Sequence, residues 1–384
     1  MAIQLFKPVY IDKKKILKDL EEIMDIGWTG LGGKTAEFEK VFAKKVNASF
    51  AVGLNSATAA LHLSLIIAGV ERNDEVITTP MTFVSTNHAI LYQGAKPVWC
   101  DINDDLCIQA SQIEDLITPK TKAIMVVHYS GLPVANMKEI YKIAGKYGLW
   151  VIEDAAHACG AQYTNKMPIG CTPYHKSLTC FSFHSVKNLN TADGGMITCH
   201  NADIASELKK LRWLGIDKDT YVRTEDSDNK GYNWMYNVER LGYKYHMNDI
   251  TAVFGLNQIN TLDGENRYRR RIVNHYKKEI NWQNLYGYVG KNVDMDNEDE
   301  RVSSNHLFVI LAPNRDNLIQ KFYDNDIFPG VHYYPNHLYP VFKPYYKKMI
   351  TTENLWKQII SLPVHLQLAL EDVQKVCDII NGGW

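Results

Sequence analysis

The 384-residue sequence contains no apolar run long enough to cross a bilayer. Its longest candidate, residues 61–70, is broken by His62 and Ser64. The first twenty residues carry Lys7, Lys13, Lys14 and Lys15 but lack the continuous hydrophobic centre of a secretory signal, so neither export nor a membrane partner is expected. Charge of one sign is missing too. Forty-two Lys and Arg face 43 Asp and Glu, a formal net charge of -1, which leaves no bulk attraction to nucleic acid or an acidic membrane. Seven cysteines (Cys100, Cys107, Cys159, Cys171, Cys180, Cys199, Cys377) are odd in number, scattered and never in a CxxC pair. That argues against a disulfide framework and against a zinc or other metal site, and fits a reducing, cytoplasmic setting. Asn47, Ala48 and Ser49 have the form of a glycosylation acceptor, which without an export signal reads as an accident of composition. There is no internal repeat or low-complexity tract. No GxGxxG follows the first strand signal, which disfavours a dinucleotide-dependent dehydrogenase.

What is present is a globular composition, 46% apolar and 22% charged, at a length where one core is outgrown and a smaller companion domain is expected. Between residues 50 and 201, β-rich runs (75–79, 97–102, 123–128, 149–153, 178–184 and 196–199) alternate with helical patterns (57–68, 83–92, 136–146). Several runs are apolar on both faces, as in strands covered by helices on both sides. The pattern predicts an α/β fold with a mostly parallel sheet and right-handed crossovers. Residues 217–239, polar and aromatic with little periodicity, read as a long functional loop. A helical pattern resumes over 247–262, and the basic stretch 267–278 continues it as a connecting helix. Its Arg267, Arg269, Arg270 and Arg271 suggest an anion patch or, more commonly, a solvated helix face. Beyond the polar stretch 289–304, a strand (306–311) and helices (317–325, 371–380) predict a small α+β unit. The expected division is a large domain over 1–262, N-terminal segment included, and a small C-terminal domain over 263–384.

The chemistry concentrates in three segments. In FSFHSVKNLNTADGG, residues 181–195, Lys187 lies between two β-rich runs and ahead of Gly194 and Gly195. A lysine held in a pocket, its charge disfavoured by burial, can form an imine with a carbonyl; a lone lysine is more often at the surface, so partners are needed. In VIEDAAHACGA, residues 151–161, Asp154 ends an apolar strand, where α/β proteins place ligands. It either caps the next helix or faces the ring nitrogen of a pyridine cofactor and keeps it protonated. Glu153, on the opposite face, reads as structural. In NSATAALHL, residues 55–63, a helix opens with small and hydroxyl side chains; free N–H groups with the Ser56 and Thr58 hydroxyls can cradle a phosphate. An imine lysine, a ring-nitrogen acid and a phosphate cradle together name pyridoxal 5′-phosphate.

With those segments in place, the sequence resembles the DegT/DnrJ/EryC1/StrS sugar aminotransferases, of fold type I among pyridoxal-phosphate enzymes. The resemblance runs along essentially the whole chain. It includes GWTGLGGKTAEFEKVFA (27–43), NSATAALHLSL (55–65), DEVITTPMTFVST (74–86), GAKPVWCDI (94–102), TKAIMVVHYSG (121–131), EDAAHACGA (153–161), the lysine segment, LGYKYHMNDITAVFGLNQ (241–258) and SLPVHLQLALEDV (361–373). The resemblance implies a covalent link between Lys187 and the cofactor, Asp154 at the pyridine nitrogen, and His157 near the ring hydroxyl. It implies Phe83 stacked on the ring, or alternatively an ordinary core residue, and phosphate contacts from Ala57, Thr58 and Ser182 beside Ser56. Ala57 replaces the family's usual Gly. In GYKYHM, residues 242–247, Lys244 and His246 depart from a common GYNYRM, so the contact that relatives make there from a neighbouring subunit is left unassigned. Within FPGVHYYPNHLYP, residues 328–340, His332 and Tyr333 resemble sugar-pocket residues, with aromatic packing as the alternative. The resemblance further implies a homodimer with active sites at its interface, glutamate as amino donor, and a nucleotide-linked 4-keto-6-deoxyhexose as acceptor, for surface polysaccharide or amino-sugar biosynthesis. Runners-up are a 3-keto sugar or small keto phosphate, a sugar dehydratase, which the presence of Lys187 weighs against, and a non-catalytic cofactor-binding regulator.

Overall fold

Strong β-formers in runs buried on both faces need a ladder on each side, and they find it in a seven-stranded sheet. The computed structural model describes residues 2–217, 236–291 and 301–384. The strands are β1 (Phe50–Leu54), β2 (Glu75–Thr78), β3 (Lys96–Trp99), β4 (Thr121–Val127), β5 (Trp150–Asp154), β6 (Ser177–Ser182) and β7 (Gly195–Cys199), in spatial order β1-β7-β6-β5-β4-β2-β3. The pairs from β3 to β6 are parallel, and β7 runs antiparallel to both β6 and β1. The expected mostly parallel sheet is therefore present with one inverted strand. All residues of β6 and β7 are buried, as a central position requires.

Helices α1 (Lys13–Ile26), α2 (Gly33–Lys45), α3 (Ala57–Ile67), α4 (Val84–Tyr92), α5 (Met137–Tyr147), α6 (Ala202–Leu211), α7 (Asp249–Gln258) and α8 (Leu262–Glu279) accompany this sheet. One apolar layer joins α3 and α6 to the sheet; another, around Ile77, Tyr129 and Ile140, joins α5 to it. The expected continuous helix through 247–278 is two helices, because the chain turns at Thr261, whose N–H and hydroxyl both bond Gln258 O. Helix α2 has no side chain of its own at its amino end. Asp249, at the start of α7, accepts there from the N–H groups of Gly32, Lys34 and Thr35 and from the Thr35 hydroxyl.

A second, three-stranded sheet, β10-β9-β8, is built from β8 (Gly287–Tyr288), β9 (Phe308–Leu311) and β10 (Ile359–Leu362), all antiparallel. Helices α9 (Arg315–Tyr323) and α10 (Leu370–Asn381) close its core with α8. Ile3 also joins that core, pairing with Ile327, so the N-terminal segment runs beside the smaller sheet. Arg269 departs from the solvated-face expectation. It is buried, 3.7 Å from Glu265, whereas Arg267, Arg270 and Arg271 are exposed. Most of the loop expected over 217–239, and residues 292–300 of the polar stretch before β9, lie outside the described residues. Among the described residues, no helix is long and apolar enough to cross a membrane.

Candidate active site

The carboxyl ends of β5 and β6 and the amino end of α3 open onto a pocket of about 330 Å³. Ser56 is extended (φ -166°) and caps α3 by accepting from Ala59 N, which leaves the N–H groups of Ala57 and Thr58 free at the pocket wall. The helix dipole makes this a seat for an anion. Strand β7 passes so close that a Cβ on Gly195 would lie 2.4 Å from the carbonyl of Ser56. Only glycine allows that approach. The loop between β6 and β7 is closed by Phe183 N on Gly194 O and by Thr191 N on Phe183 O, both 2.8 Å, and a turn from Lys187 N to His184 O presents the lysine. Asn190 is clamped by Gln258 of α7, which accepts from its N–H and donates to its carbonyl.

Asp154 ends β5 and is 4% exposed; its Oδ2 accepts from the Thr86 hydroxyl (2.7 Å) and its Oδ1 from Ala156 N (3.0 Å). Burial raises its pKa, opposed by those two donors and by the charge of Lys187. Burial pushes the Lys187 amine down to about 8, opposed by Asp154. An enclosed amine with an appreciable neutral fraction near pH 8 is a nucleophile. His157, on the pocket wall, is held well below the ordinary histidine value by burial, then by Lys187 and His332. Its Nε2 meets the Tyr333 hydroxyl at 3.0 Å, and its Nδ1 has no partner. His332, lowered to about 4 by burial, pairs with Ser361. Phe83 precedes α4 and, 55% exposed as a residue, lines the wall. Such a ring is an expensive surface to leave in water, and it suits a flat ligand.

Ser56, Ala57, Thr58, Phe83, Asp154, His157, Ser182, Lys187, His332 and Tyr333 thus all line this one pocket. Glu153 lies on the other face, where His128, Tyr141 and Tyr163 donate to it. Sequence reading missed Thr86, although its place one helical turn after Phe83 was available as a signal. It also missed Thr82, Asp193 and His184 on the wall. Among the described residues no cluster of side chains could hold a metal ion. The donor set of amine, buried carboxylate, exposed aromatic ring and helix-end hydroxyls fits a pyridine aldehyde carrying a phosphate.

Comparison with known proteins agrees. The sequence model of the DegT/DnrJ/EryC1/StrS aminotransferase family matches residues 10–381. The chain is 34% identical to the UDP-4-amino-4-deoxy-L-arabinose–oxoglutarate aminotransferase of Shewanella sediminis, covering 95% of both. It is 34% identical to a spore coat polysaccharide biosynthesis protein of Bacillus subtilis, over 96% of this chain and 95% of that one. A solved Streptococcus pneumoniae structure, described as a sugar aminotransferase in its PLP-form, superimposes with a TM-score of 0.86 at 26% identity, over 100% of this chain and 98% of that one. This chain belongs to the DegT/DnrJ/EryC1/StrS aminotransferase family and is a transaminase that works with pyridoxal 5′-phosphate.

Proposed function

We propose that the chain transfers the amino group of glutamate to a nucleotide-linked 4-keto-6-deoxyhexose, in the making of a surface polysaccharide or amino sugar. The observation that carries this reading is the pairing, in one pocket, of a lysine amine lowered to about 8 with a buried carboxylate. The name of the Shewanella sediminis relative supports an oxoglutarate-linked donor and a nucleotide-linked sugar aminated at C4. That of the Bacillus subtilis relative supports polysaccharide biosynthesis.

When bound, the cofactor supplies a ring that takes up the electron pair left as a substrate carbon loses its proton. The residues of this chain do the rest. The N–H groups of Ala57 and Thr58 and the hydroxyls of Ser56, Thr58 and Ser182 would hold the phosphate. Asp154 would hold the proton on the ring nitrogen, and the Thr86 hydroxyl and Ala156 N–H keep its two oxygens aimed. Phe83 would cover the ring and exclude water. Lys187 Nζ would anchor the aldehyde covalently. With its charge disfavoured by burial, the same amine would serve as acid and base, moving a proton at the donor's amine-bearing carbon in the first half of the reaction and at the acceptor carbon in the second. His332 and Tyr333, on the same pocket wall, would meet the acceptor.

The reading includes a homodimer, supported by the exposure of Val238 (55%) and Leu241 (80%) in one short segment, and a cytoplasmic setting, supported by seven free, buried cysteines. The experiment is half of the reaction. Adding glutamate to the loaded protein should bleach the cofactor's absorption band and release 2-oxoglutarate, and Lys187→Ala should lose turnover by at least about a thousandfold. Retained turnover in that variant, or a band indifferent to glutamate, rejects the reading. A keto-sugar screen read by mass then separates 4-keto from 3-keto acceptors and from small keto phosphates.

A further inference from the structure

Behind the Lys187 turn lies a chain of buried polar side chains with no task in the chemistry above. Asn188 is 3% exposed. Its Nδ2 donates to Asn266 Oδ1 on α8 (2.8 Å) and to Ser304 O (2.9 Å), and its Oδ1 meets His306 Nδ1 (3.0 Å). Asn266 in turn donates Nδ2 to Cys159 O (3.0 Å). Backbone carbonyl oxygens only accept, so Cys159 O and Ser304 O fix the polarity of the whole chain. Asn266 Oδ1 accepts, Asn188 Nδ2 donates, Asn188 Oδ1 accepts, and His306 therefore carries its proton on Nδ1. A second proton is opposed by burial and by Lys187, His157, His332 and Arg269, the titratable groups that face this ring, and its pKa lies well below the ordinary histidine value. His306 is a neutral imidazole of one tautomer.

The ring is held as firmly as the proton. Phe6, from the N-terminal segment, stacks on it at 5.5 Å and 15°, and the His157 ring lies 4.4 Å away. His157 in turn meets Tyr333 on the pocket wall. The residue that follows Lys187 is thus tied through one imidazole to two side chains of the pocket wall, His157 and Tyr333.

We propose that Asn188 and His306 form a positioning pair, which locks the turn bearing Lys187 and the ring of His157 into one geometry and keeps the proton of His306 on Nδ1. This rests on the amino-transfer reading. Neither residue lines the pocket, so both act through their neighbours. Lys187 must reach cofactor and substrate in turn from a backbone that stays still, and a small displacement there lowers the rate rather than the affinity.

Two measurements test the pair. In 15N-histidine NMR of the apo and cofactor-loaded protein, His306 should show the neutral Nδ1–H pattern, unchanged between about pH 6 and 9. An Nε2–H pattern, or a protonation midpoint inside that window, overturns the proposal. His306→Phe keeps a stacked ring and removes the donor. It should lower kcat by about tenfold while each KM stays within about twofold. It should also move the pH midpoint of the cofactor band by about half a unit or more. Wild-type values of kcat and midpoint overturn the proposal. If that variant does not fold, Asn188→Asp, equal in shape but without the Nδ2 donor, takes its place: the same fall in kcat and shift of midpoint support the pair, and wild-type values of both overturn it. Failure of the amino-transfer reading looks different, because the wild-type protein itself would then form no band responsive to glutamate.

Discussion

At the scale of single residues, the site is governed by what burial does to two charges. Asp154 is pushed up and Lys187 down, and each partly offsets the other. On the proposed reading, a protonated ring nitrogen would add a positive charge beside Asp154 to that of Lys187, and so would favour its ionised form. For Lys187 the sign is direct. A lowered pKa means that the neutral amine dominates above about 8 and is scarce below it. The rate at which apo protein captures the cofactor aldehyde should therefore rise with pH through about 8 and then level off, as stopped-flow absorbance would show. A midpoint near the ordinary lysine value, about 10.4, would mean that the amine is solvated. The places of Lys187 and Asp154 were legible because Asp154 closes an apolar strand ahead of small residues, and Lys187 lies between two β-rich runs ahead of Gly194 and Gly195. His306 was not: its partner Asn188 is 118 positions away, and no local pattern announces a bond between them.

At the scale of elements, the positions that matter are where chains come close. Gly195 lets β7 cross the amino end of α3, and a methyl there would meet backbone atoms of Ser56 and Ala57 at 2.4 and 2.7 Å. Backbone cannot yield as a side chain does. Gly195→Ala should cost roughly 1–3 kcal/mol of stability. It should also weaken cofactor binding by about tenfold, seen by titrating the apo protein, because the free N–H groups of α3 are moved. Binding and melting temperature equal to wild type would show that the crossing has slack. Strands β2 to β7 and helices α3, α4 and α5 were readable from periodicity, with ends off by one or two residues except at β3, which stops at Trp99 rather than 102, whereas β1 was not among the expected runs. Cys100 N still bonds Thr78 O, but the chain then turns back to pair Ile102 with Ile108. The inversion of β7 was not readable, since an apolar strand buried on both faces looks the same in either direction. Nor was the break at Thr261, which depends on a hydroxyl bonding a carbonyl three residues back.

At the scale of the whole molecule, the N-terminal segment joins parts that the sequence order keeps far apart. Ile3 N donates to Asp326 O, Phe328 N donates to Ile3 O, and Gln4 O meets His365 Nε2. Phe6 then reaches the histidines beside the pocket. Deleting residues 2–8 should remove about 2–4 kcal/mol of apolar burial, seen as an earlier unfolding transition. It should also lower kcat, since His306 loses the ring stacked on it. An unchanged transition would mean that the segment is held only loosely. In the larger sheet, Asp154 pairs with Cys180 across neighbouring parallel strands, so the carboxylate and the root of the lysine loop are gauged by the ladder itself, at about 4.8 Å between strands. His332 and Tyr333, by contrast, hang from the stretch that leads into the smaller sheet's layer. On the proposed reading, in which these two side chains meet the acceptor, a change of sugar would call for new residues in that stretch and for none at the electron-handling end.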